Sequence, residues 1–523
     1  MSQIDTTHSG QHARTTVFSV ARYSGWVAVA LCVLVFLFEF RMYPVEQLDD
    51  AFISYRYAQN LVAGHGLVFN IGEPVEGYTN LLWTLLVALG IVLGGDAVQV
   101  GGWLVQIFGT LLLVASYVYA SRLLAPSMKG WAGWAPIVLL ASNSFACWTG
   151  GGLETTLFGY LVLMAFIDHL ERRFGRVAFW CVLATMTRPE GAILAGVLLG
   201  GSWLQAALLQ RPRDLAGWWR LSLPSLAFAA YLAAHTAFRL YYYHDVVPNT
   251  FYAKVGGIPL SRGFEYLYNA GVDGPILLVF PALLAAFAFR RFRIAMAYIL
   301  ITFAYIVYVG GDVFAFGRFT LPVLPLLTAG AIAGVLWLWS KQRAAGVLLG
   351  LLLPATIIWS LWLSWPRTID HYDLEPALSL ALAKRDAARL HIFGDTEEGI
   401  RNYVQRMTAL RPAPKLVAAV GIGKFGYYAK DVEILDVLGL VDKHVARSTK
   451  VVPALLLIPG HQRTDSDYVL DRKPDFILIL RRDTPGALTL PSTVDLWTNP
   501  RLDQEYRWDS DFNAYRRRDY LGQ

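Results

Sequence analysis

The chain is 523 residues long, with 55% apolar side chains, 14% aromatic and only 16% charged. That is too little polar surface for an ordinary soluble enzyme, so a bilayer must solvate much of it. The net charge of +6 does not point to nucleic acid, because the basic residues gather in short loops between apolar runs, where they act as topology signals.

In chain order, a polar segment at 1–24 carrying Arg14 and Arg22 leads into an apolar run at 25–40. No small-residue cleavage pattern follows, so the run reads as a retained signal anchor behind a cytoplasmic tail. A long loop, 41–79, comes next. Further candidate spans lie at 80–94, 99–120, 132–149, 153–169, 175–187, 190–209, 221–239, 273–289, 294–309, 320–339 and 345–364. Basic clusters at Arg172, Arg173 and Arg176, at Arg211, Arg213 and Arg220, at Arg290, Arg291 and Arg293, and at Lys341 and Arg343 mark cytoplasmic ends. They put the loops 41–79, 240–272 and 310–319, and everything after residue 366, on the outer side. A cytoplasmic N-terminus and an outer C-terminus require an odd number of crossings, whereas the candidate runs are even in number. The short runs 80–94 and 175–187 are the weakest, so roughly 11–13 helices are expected.

Residues 366–523 contain no membrane-length run. Strand-like stretches at 415–420, 432–438 and 475–480 and a helix-like one at 375–390 predict a soluble α/β unit there. The expected fold is therefore an α-helical integral membrane domain at 25–365 followed by a small α/β domain. The three cysteines, Cys32, Cys147 and Cys181, all sit in apolar runs and read as packing residues.

The chemistry concentrates just outside the first span. Asp49 and Asp50 are adjacent carboxylates at a membrane surface, where a water-soluble hydroxyl can meet a lipid-borne group. Such an acid can serve as a general base, or hold a divalent cation, Mg2+ or Ca2+, against a phosphate. The competing reading is that they cap the amphipathic segment 51–62, since Asp suits a helix start. Behind them come GHGLVFN (64–70) and GEPVEGYTN (72–80), a density of glycine and polar residues that describes a shaped loop. His65, Glu76, Tyr78 and Asn80 are its candidates for contacting sugar hydroxyls, or else satisfy the loop itself.

The run DDAFISYRYAQNLVAGHGLVFN followed by GEPVEGYTN (49–80) resembles the first outer loop of GT-C membrane glycosyltransferases. It is most similar to the mycobacterial terminal arabinofuranosyltransferase type and its Gram-negative relatives. The resemblance continues through GLE (152–154), TRPEG (187–191), PNTFYAK (248–254), GGD (310–312) with Arg318-Phe319, and GYY (426–428). The paired acids are shared across the superfamily, whereas the GHGLVFN, EGYTN and PNTFYAK runs together are much narrower.

The resemblance implies a GT-C fold and a polyprenyl-phosphate sugar donor, decaprenyl-phosphoryl-D-arabinofuranose in the family's usual case. It implies an acceptor that is a cell-envelope glycan or a pilin-like protein, and a bacterial inner membrane location with the site and the C-terminal domain periplasmic. It puts catalysis on Asp49 or Asp50 without choosing between them. A departing phosphate needs cations near its bridging oxygen; Lys254, Arg318, Arg188 and Arg56 are the candidates, with ion pairs to Glu190 and Asp312 the rival role for the two later arginines. Glu154, Asn249 and Asp312 are candidates for lining the sugar or acceptor cavity. Another polyprenyl-phosphate sugar, mannose or aminoarabinose, is the nearest alternative donor. A lipid-linked-sugar flippase would place charges midway along several spans and show paired repeats, and the sequence has neither.

One further signal is set aside. Residues 421–426 fit GxGxxG after a strand-like run, yet no helix-forming stretch with a suitably spaced acid is expected behind them, so dinucleotide binding is not inferred.

Overall fold

The computed structural model describes residues 7–42, 47–210, 214–254, 260–272, 276–312, 314, 316–359, 396–450, 452, 461–482 and 490–520. The expected helix at 375–390 and the expected boundary near residue 365 lie outside the described residues. Among the described residues, six helices are long and apolar enough to cross a membrane, and shorter apolar helices accompany them. α1 (Thr7–Met42) carries the first span and extends the helix back through most of the polar N-terminal segment; α2 (Asp49–Val62), α3 (Leu81–Val92) and α4 (Ala97–Leu123) follow.

α3 falls on one of the two weakest expected runs. Its 12 residues rise only about 18 Å, well short of the roughly 30 Å hydrocarbon core. At its start Asn80 bonds to Ser54 of α2, and just beyond its end Asp96 accepts a bond from Tyr427 of the C-terminal unit.

The centre of the bundle is the Leu324–Lys341 helix, whose residues from Leu324 to Leu336 are all buried. Gly330 and Gly334 stand four apart on it. A Cβ on Gly330 would strike the Phe292 ring, and one on Gly334 the backbone of Pro281. With no hydrophobic drive between helices in lipid, small residues that admit such close approach supply the packing. Outward-facing Leu34, Phe38, Leu223, Phe287 and Leu348 are exposed, as lipid-facing side chains should be.

The C-terminal unit is built on a five-stranded sheet in the order β2-β1-β3-β5-β4. β1 (Leu416–Ala419), β2 (Glu433–Asp436) and β3 (Phe476–Leu478) fall inside the three expected stretches, and β1 pairs parallel with both others. β4 (Tyr506–Asp509) and β5 (Ala514–Arg517) form an antiparallel hairpin against β3.

The unit is fastened to α2 and the loop behind it by Arg56. Its guanidinium donates to the carbonyls of Phe69 (2.7 Å), Gly426 (2.6 Å) and Val432 (3.1 Å) and lies over the Phe69 ring at 4.4 Å. Burial pulls its pKa down to about 10. Arg56 is therefore not available to a phosphate, which corrects its expected role. Replacing it by Met should strand those carbonyls and cost about 3 kcal/mol, read as a lower unfolding temperature of the detergent-solubilised protein.

Candidate active site

α2 begins at Asp49, and its N-cap residue, Leu48, makes no side-chain capping bond. Neither acid caps its own helix. Both sit in the first turn, where the helix dipole favours negative charge. Their carboxylates then part company. Asp49 accepts backbone N–H bonds from Gly423 (2.9 Å, Oδ2) and Lys424 (2.7 Å, Oδ1), so it caps the start of the Gly423–Tyr428 helix of the C-terminal unit. Burial raises its pKa above the ordinary carboxylate value, and the two backbone donors pull it part of the way back.

This accounts for the GxGxxG run. A helix does follow it, contrary to expectation, and the N–H groups at its start hold a protein carboxylate in the way such termini hold phosphate. Gly423 is required by close approach: a Cβ there would overlap the Asp49 carbonyl oxygen. Gly423→Ala should therefore push the C-terminal unit off α2, seen as new protease sensitivity between the two.

Asp50 is half-buried and makes no hydrogen bond or ion pair among the described residues. Lys254 matches it. It ends the short Asn249–Lys254 helix, and its ammonium likewise has no hydrogen-bond or ion-pair partner among the described residues. It keeps exposed surface, yet protein encloses it closely enough for burial to lower its pKa; the charge of Asp50 opposes that shift, and Arg318 and Arg188 reinforce it. Asp50, Arg188, Arg318 and Asp312 are thus the charges that act on Lys254.

The neighbouring charges are committed. Arg188 pairs with Glu154 (2.9 Å) and Glu190 (3.2 Å), and Arg318 with Asp312 (2.6 Å). Both guanidiniums lie over the Phe319 ring, at 4.8 and 5.5 Å. Glu154 also accepts from Asn80 (2.9 Å), which in turn accepts from Ser54 (3.0 Å). Ser54 stands four residues after Asp50, on the same face of α2. A chain of bonds therefore runs from the helix bearing Asp50 to the arginine pair.

Several expected ligand contacts prove to be structural. Glu76 is 3% exposed and accepts three bonds from Arg239, the shortest 2.8 Å. The Tyr78 hydroxyl meets that of Tyr243 at 3.0 Å. Asn249 is 1% exposed and donates to the carbonyls of Gly439, Leu440 and Asp442 while accepting from Arg447. It secures the Lys254 helix to the C-terminal unit, so its expected sugar contact is corrected to an anchoring role. His65 is exposed on the loop. Asn249→Ala should cost about 2 kcal/mol by leaving buried polar groups unpaired and should lower the unfolding temperature accordingly.

A divalent cation between the two acids does not fit this donor set. Both oxygens of Asp49 already accept backbone N–H groups, and the positive charge of Lys254 acts on Asp50. Among the described residues no group of three or more acidic, histidine or cysteine side chains is placed to hold a metal.

The bundle with its outer helical layer and C-terminal unit is a GT-C fold. It superposes on crystal structures of ArnT from Cupriavidus metallidurans, apo and bound to undecaprenyl phosphate, with TM-scores of 0.52 and 0.51, at 16% and 14% identity, covering 79% of this chain and 86% of that one. In sequence the chain is similar to the terminal beta-(1->2)-arabinofuranosyltransferases of Mycobacterium tuberculosis, 31% identical over 242 residues, and of Corynebacterium glutamicum, 28% identical over 426. Those matches cover 42% and 69% of this chain but only 37% and 59% of the two relatives' own lengths. Residues 391–521 match a family described as Domain of unknown function (DUF8728).

Proposed function

We propose that the protein is a glycosyltransferase that moves a sugar, D-arabinofuranose, from a polyprenyl-phosphate donor to an acceptor hydroxyl on the outer side of a bacterial cytoplasmic membrane. The observation that carries this reading is that Asp50 and Lys254, alone among these mutually acting charged groups, are free of ion pairs among the described residues, and are of opposite type. In the reaction the bond between the anomeric carbon and the phosphate oxygen breaks, and the acceptor oxygen bonds to that carbon. Asp50 takes the proton from the acceptor hydroxyl as general base. Lys254 offsets the charge growing on the departing phosphate. Asp49 does neither; it holds α2, and with it Asp50, against the C-terminal unit.

The similarity to terminal arabinofuranosyltransferases supports the choice of sugar, and the likeness in fold to a protein that binds undecaprenyl phosphate agrees with a lipid-borne donor. The acceptor, on this reading, is an envelope glycan. The test is a panel of purified polyprenyl-phosphate sugars offered to the detergent-solubilised protein. Arabinofuranosyl transfer above mannosyl and aminoarabinosyl transfer is expected; preference for either of the others would change the sugar, and turnover of none would remove the enzyme.

A further inference from the structure

On the face of α2 opposite Asp50 lies a recess that the proposed reaction does not use. At 100° per residue, Gln59 projects opposite to Asp50, and its Cα stands about 14 Å further along the axis. There a cavity of about 580 Å³ opens between α2, the start of α4 and the C-terminal unit, lined among others by Gln59, Asp96, Gln99, Glu397, Arg401 and Tyr427. A volume of that order suits an organic ligand.

The lining says what kind. Its carboxylates and guanidinium are held within the protein: Arg401 donates to Glu397 (2.9 Å), and the Tyr427 hydroxyl donates to Asp96 (3.3 Å), whose other oxygen caps α4. The amides of Gln59 and Gln99 and the ammonium of Lys430 make no side-chain hydrogen bond among the described residues. The two acids, Asp96 and Glu397, are balanced by Arg401 and Lys430, so net charge in the wall favours neither an anion nor a cation, and the polar lining does not suit an apolar chain. Paired amide donors and acceptors, from helices on facing sides, match adjacent hydroxyls.

We propose that this cavity is a binding site for a neutral glycan, engaged by the acceptor at sugar residues remote from the one being extended. The proposal rests on the transferase reading above. Because Asp50 and this cavity lie on opposite faces of α2, only an acceptor long enough to pass around that helix engages both at once. Short acceptors reach Asp50 alone.

The test uses the full-length protein and a ladder of arabino-oligosaccharides from the monosaccharide glycoside upward. In the wild type, kcat/KM should step up beyond a threshold length. The Gln59→Ala/Gln99→Ala double variant, altering two partly or fully exposed side chains, should lose that step, with KM for long acceptors rising roughly tenfold for the two lost hydrogen bonds and short-acceptor turnover unchanged. Equal losses on short and long acceptors, or no change on either, would overturn the site. Saturation-transfer NMR of the longest oligosaccharide against both proteins reports binding without catalysis. Binding in the wild type that the double variant loses supports the cavity even if no sugar is transferred, whereas equal binding by both, or by neither, rejects it.

Discussion

Asp50→Asn is expected to abolish sugar transfer almost completely, lowering kcat by roughly 10²- to 10⁴-fold, the usual contribution of a positioned general base. The amide keeps the size of the side chain but cannot take a proton from the acceptor hydroxyl. Because Asp50 makes no hydrogen bond within the described residues, its replacement should leave insertion and unfolding temperature unchanged. The loss should fall on kcat with little change in donor KM. A parallel rise in donor KM would instead assign Asp50 to donor binding.

Lys254→Ala is the second large effect. Removing one preorganised charge from a developing oxyanion typically costs about 10²- to 10³-fold in rate, and among the described residues Lys254 has no hydrogen-bond or ion-pair partner that competes for its charge. Its pKa is lowered by burial, and only the protonated form can offset phosphate charge. The kcat/KM profile, which reports the free enzyme, should therefore fall on the alkaline side below the usual lysine value of about 10.4. Lys254→Arg should move that limb to higher pH, since a guanidinium stays charged. An unmoved limb in the arginine variant would assign the titration to another group.

Much of the frame was legible because its signals are local. Apolar length marks the spans, basic clusters mark their ends, and short β-branched and leucine-rich stretches located β1, β2 and β3. The paired acids could be singled out because two adjacent carboxylates beside lipid need a reason. What local reading could not separate was Asp49 from Asp50, since their difference is made by Gly423 and Lys424, some 374 positions later in the chain. The same holds for Arg56, whose partners Gly426 and Val432 are equally remote, and for Glu76, matched to Arg239. In each case a polar residue that looks like a ligand contact is satisfied by the fold across a long sequence gap.

The C-terminal unit also takes on a different meaning. As a sequence it reads as an appended α/β domain. In the fold it caps Asp49 through the Gly423–Tyr428 helix and grips Asn249, five residues before Lys254, through the carbonyls of Gly439, Leu440 and Asp442. The neighbours in sequence of both Asp50 and Lys254 are thus held by one unit.

The most direct measurement compares Asp49→Asn with Asp50→Asn in one assay, following radiolabel from decaprenyl-phosphoryl arabinose into acceptor in membranes containing equal amounts of each protein. Asp49→Asn should retain activity within about tenfold of wild type while unfolding more readily, since it weakens a buried charge-assisted contact worth about 1–3 kcal/mol; Asp50→Asn should be silent and stably folded. Full transfer by Asp50→Asn, or a stably folded Asp49→Asn with none, would contradict the division of labour between the two acids.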